Sequence, residues 1–93
     1  MSVRVKLPVM FQSAAGGAKN VELNNCKTVG ECLKQLRAQY PPLGKMLFDE
    51  GDNIAGFLMI FINGQSVNHG ADRFTIPVKD GDELYPIMMI EGG

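Results

Sequence analysis

The sequence predicts an α+β fold: a mixed sheet of four to five strands with one main helix laid on one face. Three features predict it. The chain opens with the period-two alternation of a half-buried strand. Only one long segment, between residues 28 and 40, repeats its apolar residues at helical spacing. An Asn-Gly pair at 63–64 joins two extended runs. A single helix between two pairs of strands buries its apolar stripe against one face of the sheet they form.

Each element has its own reason. Val3, Val5, Leu7, Val9 and Phe11 alternate with Arg4, Lys6, Pro8 and Met10, which reads as a first strand with one buried face. Pro8 withholds a ladder donor, so an edge there is free, bulged or close to the strand's end. Small residues over 13–18 make a turn, and Lys19 to Leu23 reads as a second strand that returns beside the first. Asn24-Asn25 breaks it. Thr28-Val29-Gly30-Glu31 has the form of a capping box, and Val29, Cys32, Leu33, Leu36 and Tyr40 then form one apolar helical stripe. Pro41-Pro42 ends that helix, and Leu43 to Phe48 is expected to hold a short second helical turn. Residues 49–53 form an acidic loop, read as solvated because the rest of an EF-hand pattern is missing. Phe57 to Ile62 is an unbroken apolar run, taken as the third strand, and Asn63-Gly64 turns it into a short fourth strand at about 65–67. Asp80-Gly81-Asp82 launches the last strand, from Glu83 to Met89 or Ile90. With the first and last strands side by side at the centre, this is the β-grasp arrangement.

Composition bounds what such a chain does. Its 93 residues make one domain, 1–93, with a modest core and a flexible tail at about 91–93. A formal net charge of −1 with scattered basic residues leaves no surface for neutralising phosphates, so nucleic acid is not expected as a partner. Cys26 and Cys32 are six apart and His69 is the only histidine, so a four-ligand zinc site does not assemble within the chain. Both cysteines are expected as reduced thiols, Cys32 on the helix's core face, with a Cys26–Cys32 disulfide the less favoured alternative. The N-terminus lacks an apolar signal region and no apolar run approaches membrane-spanning length, so a cytoplasmic protein is expected.

Two features remain that packing does not use. The third strand is apolar on both faces, with Leu58, Ile60 and Ile62 on one and Phe57, Met59 and Phe61 on the other. The last strand repeats this, with Leu84, Pro86, Met88 and Ile90 against Tyr85, Ile87 and Met89. One helix covers one face, so part of this surface is left for a partner to dock on. The alternative is that segment 43–55 folds over it. Which set is exposed stays open at this level; Met59, Phe61, Ile87 and Met89 are the candidate docking residues. The second feature is the end of the chain, Glu91-Gly92-Gly93. Glycines there add nothing to packing. In a chain this rich in glycine, a terminal pair arises by chance in roughly one or two of 100 sequences. Such a tail is thin enough to enter a slot that a Cβ would block.

At this point the residues resemble a known family, the ubiquitin-like sulfur carriers of the ThiS/MoaD type. The likeness rests on Val3-Arg4-Val5-Lys6-Leu7, the helix opened by Thr28-Val29, Ile62-Asn63-Gly64, the turn Lys79-Asp80-Gly81-Asp82-Glu83-Leu84, Pro86 and Gly92-Gly93. It covers essentially the whole chain, and its most specific part is the last fifteen residues. Gly16-Gly17-x-Lys19 and the overall length are more similar to carriers for cysteine synthesis than to the shorter thiamin carriers. The resemblance implies a protein co-substrate rather than an enzyme. An E1-like adenylating enzyme would use MgATP to activate the Gly93 carboxylate, which then becomes a thiocarboxylate. A pyridoxal-phosphate-dependent synthase, or the large subunit of molybdopterin synthase, would accept the sulfur. The chain itself would bind no cofactor or metal and carry no catalytic residue; Gly93 is the modified residue, with Gly92 and Glu91 its tail.

Three other readings compete. A ubiquitin-like modifier would join Gly93 to lysines of other proteins. A non-covalent β-grasp interaction module would leave the tail incidental. A thiol–histidine enzyme would need Cys26 or Cys32 beside His69.

Overall fold

The computed structural model describes residues 2–67 and 73–88. Its elements are β1 (Ser2–Lys6), α1 (Val9–Gln12), a 3-10 turn (Ser13–Ala15), β2 (Asn20–Asn24), α2 (Val29–Gln39), α3 (Pro41–Leu47), β3 (Leu58–Ile62), β4 (Gln65–Ser66), a second 3-10 turn (Arg73–Thr75) and β5 (Glu83–Met88). The five strands form one mixed sheet in the order β2-β1-β5-β3-β4. The central pair, β1 and β5, is parallel, with Arg4 opposite Glu83 and Val5 opposite Leu84. The outer pairs are antiparallel: Val3 lies opposite Leu23, and Leu58 opposite Met88. This is the β-grasp arrangement.

Half of the capping box forms as read: the Glu31 N–H donates to Thr28 Oγ1 at 3.2 Å, while Glu31 Oε1 accepts at 2.9 Å from the N–H of Lys27, one residue before the cap, rather than from that of Thr28. Behind this cap, Val29, Cys32, Leu33 and Leu36 are fully buried and share one core with Leu43 and Leu47 of α3 and with Val3, Val5, Leu23, Leu58, Ile60 and Leu84 of the sheet. Asn63 and Gly64 take left-handed φ of 52° and 83°, the conformation that a tight hairpin turn demands.

Three expectations need correction. The first strand does not run to Phe11; it ends at Lys6, and Pro8 opens a helical turn in which the Phe11 N–H donates to the Pro8 carbonyl at 2.9 Å. Leu7 and Phe11 are both buried, which a strand and a helix predict alike because they are four apart, while Val9 between them is 81% exposed. Pro41-Pro42 ends α2 and also begins α3, where the absent N–H of a first-turn proline has no partner to lose. So α3 is a full seven-residue helix beside the main one. The cysteines are not free thiols: Cys26 and Cys32 are joined in a disulfide, with Cα atoms 5.3 Å apart. Asn25, at φ 65°, turns the chain inward before Cys26, so both cysteines are wholly buried at the start of α2.

Candidate functional site

The site is built around β5, the strand that leads to the tail, and around the sheet face opposite the helices. Asp82 sets where β5 begins. Its carboxylate accepts from the Lys79 N–H at 2.8 Å and from Asn63 Nδ2 at 2.9 Å, and it is 7% exposed. Asn63 Oδ1 in turn accepts from the Glu83 N–H at 2.9 Å. One asparagine therefore ties the β3–β4 hairpin to the start of β5. A buried carboxylate held by two N–H donors is a stiff joint, since losing either donor leaves charge unpaired.

From that joint the alternation of β5 places Leu84, Pro86 and Met88 toward the helices, and Glu83, Tyr85 and Ile87 on the opposite face. The β3 partners do the same: Leu58 and Ile60 are buried, whereas Met59 and Phe61 are half-buried and make no part of the core. Register pairs Met59 with Ile87 and Phe61 with Tyr85. The open face thus has an apolar half on β3 and β5. Its other half, on β1 and β2, is polar, with Arg4 and Glu22 3.6 Å apart. Lys6 lies at the seam, its ammonium 5.4 Å from the Tyr85 ring centroid, within cation–π range. A shallow hollow there is lined by Lys6, Phe61, Gly64, Glu83, Tyr85 and Ile87.

Segment 43–55 does not fold over this face. Leu43, Leu47, Phe48, Ile54 and Ala55 all join the helix-side core. Of the candidate docking residues, Met59, Phe61 and Ile87 come together on the open face, while Met89 lies outside the described residues. Glu91, Gly92 and Gly93 lie outside them too, as does His69. Tyr85 and Lys6 belong to the same surface and were not singled out from the sequence; the parity that Tyr85 shares with Ile87 was the available signal. Cys26 and Cys32, buried and paired, offer no thiol for a nucleophile. No helix among the described residues is long and apolar enough to cross a membrane.

Strand order, a helix layer on one side and an open apolar strip on the other define a ubiquitin-like β-grasp protein. The chain belongs to the ThiS family, whose model matches residues 5–93. Among solved structures, it is similar to the small archaeal modifier protein 1 of Methanosarcina acetivorans, with 30% identity, a TM-score of 0.82, and 99% of this chain and 96% of that one covered. A chain of the Amycolatopsis orientalis BexX/CysO complex matches with 25% identity and a TM-score of 0.82, over 98% of this chain and 99% of that one. The corresponding modifier protein of Haloferax volcanii shares the fold, with 24% identity, a TM-score of 0.83 and full coverage of both chains. No curated protein matches the chain.

Proposed function

We propose that this chain is a sulfur carrier whose working atom belongs to the Gly93 carboxylate. The family match, which runs through residue 93, carries the reading. It is supported by a last described strand that ends at Met88 beside an open apolar face. A carboxylate is a poor electrophile. In the partner, an E1-like adenylating enzyme, a Gly93 oxygen attacks the α-phosphorus of MgATP, the α–β anhydride bond breaks, and pyrophosphate leaves. Hydrosulfide then attacks the acyl carbon of the adenylate, the C–O bond to AMP breaks, and a thiocarboxylate remains. Its sulfur is nucleophilic at neutral pH and attacks a carbon centre held by a second enzyme. That enzyme is a pyridoxal-phosphate-dependent synthase of the cysteine or homocysteine type, or a molybdopterin synthase large subunit. The carrier contributes position and no acid, base or metal: Met59, Phe61, Ile87 and Met89 dock, and Gly92 passes where a Cβ would clash. The setting is cytoplasmic. The similar Amycolatopsis structure is itself a complex, which fits a protein that works on partners.

A second reading is favoured by the 30% identity to an archaeal modifier protein: the same activated Gly93 forms an isopeptide bond to lysine. Intact-mass analysis of the protein isolated from its own cells decides. A carrier shows a species heavier by about 16 Da, sulfur for oxygen. A modifier shows larger conjugates that digest to a Gly-Gly remnant on lysine. If neither species forms in cells starved of other sulfur sources, both readings fail.

A further inference from the structure

Phe57 is half exposed, at 51%, and with Val9 it is one of two exposed large hydrophobic residues among those described. It immediately precedes Leu58, which pairs with Met88, so it stands at the end of the sheet from which the chain continues toward Gly93. Gly93 lies five residues beyond Met88, and at 3.3–3.6 Å each these steps reach at most about 18 Å. A partner that takes the Gly93 carboxylate into its own site therefore comes within that distance of Met88. A specific interface of roughly 800 Å² per side extends over the sheet end and the ring standing on it.

The backbone beneath the ring is bolted down. Arg73 donates from Nη1 to the Leu58 carbonyl, and from Nη2 to the carbonyls of Ala55 at 3.0 Å and Ile54 at 3.5 Å. The Leu58 N–H closes a turn on the Ala55 carbonyl at 3.0 Å. An aromatic side chain on a pre-ordered turn loses little entropy on docking. Beside it runs a groove lined by Pro41, Gly44 and Phe48 and by the charged Arg37, Lys45, Asp49, Glu50 and Asp52.

We infer that Phe57 is a docking residue for the enzyme that activates the tail, seating in an apolar pocket at the mouth of that enzyme's tail channel. This rests on the carrier reading, and it adds a contact at the sheet end to those on the open face. The test is carrier-dependent exchange of labelled pyrophosphate into ATP by the E1-like adenylating enzyme of the same genome, with the carrier titrated. Phe57→Ala is expected to raise the half-saturating carrier concentration roughly tenfold. The maximal exchange rate should stay within about twofold, because a docking contact acts on binding rather than chemistry. Asn24→Ala, at the opposite end of the sheet beside Ser2, should change neither. If Phe57→Ala does not fold, Phe57→Lys, which keeps an apolar stem under a charged tip, is measured in its place. An unchanged half-saturation overturns the inference while leaving the carrier reading intact. Absence of exchange with the unaltered carrier overturns both.

Discussion

Gly30 is the second residue of α2, and a Cβ built there would lie 2.3–2.4 Å from three ring carbons of Phe74. The ring of the 73–75 turn therefore packs directly on the helix backbone, with the Lys34 ammonium 5.1 Å from its centroid. Two effects oppose each other in Gly30→Ala. Helix propensity favours alanine by about 0.5–1 kcal/mol. Overpacking costs about 1–3 kcal/mol when, as here, the atoms in the way include the ring's attachment carbon rather than a flexible tip. The clash wins, and a net loss of about 1 kcal/mol is expected, read as a lower midpoint in urea unfolding. A midpoint that stays or rises would show that the 73–75 turn shifts freely. Gly44 makes the same kind of approach in α3, where an added Cβ would lie 2.3 Å from Arg37 Cγ. Neither glycine is marked by a turn or a positive φ, so from the chain alone both look replaceable.

At the scale of elements, the sequence was legible where two signals agreed. For α2, the Thr28/Glu31 cap and the apolar stripe point to the same start, and the helix begins at Val29. For the β3–β4 hairpin, Asn63-Gly64 fixes the turn, and the predicted strand at 57–62 is observed at Leu58–Ile62. The segment after Lys6 failed because Leu7 and Phe11 satisfy both periods, and the exposed Val9 is the residue that separates them. The disulfide was open in the sequence but disfavoured, for a different reason: spacing alone does not show that Cys26 is buried beside Cys32. That bond closes a short loop at the start of α2. Chain-entropy arguments give a cross-link of this length roughly 2 kcal/mol. The double variant Cys26→Ser, Cys32→Ser should therefore lose that or somewhat more, two hydroxyls being buried in place of sulfur. Alkylation of the unaltered protein, unfolded without reductant, should add no label; two labels would show the thiols free and remove the stabilisation argued here.

Across the whole molecule, one sheet serves two purposes through its two faces. The buried residues of α2 and α3, with Phe48, Ile54 and Ala55, share one core on one side, so stability is concentrated there. The candidate docking strip sits on the other, one residue out of phase on the same strands. The sequence showed β3 apolar on both faces and left open which was covered; only the placement of α3 and Ile54 against the helix side decides it. Adjacent residues of β3 should then respond oppositely to truncation. Ile60 is fully buried, and Ile60→Ala removes core packing and leaves a cavity, costing about 2–5 kcal/mol. That is a large share of the 5–15 kcal/mol typical of a domain, so this variant should unfold at much lower urea and lose partner function with its fold. Phe61 packs across the strand from Tyr85 on the open face, and solvent fills the space it vacates. Phe61→Ala should cost only about 1 kcal/mol of stability. On the proposed carrier reading it should nevertheless weaken binding to the activating enzyme roughly tenfold, as loss of an aromatic anchor does. Urea unfolding and titration against that enzyme, run on both variants, separate the two faces. Equal losses of stability in the two would mean that the strip is part of the core, and the docking role of Met59, Phe61 and Ile87 would fall with it.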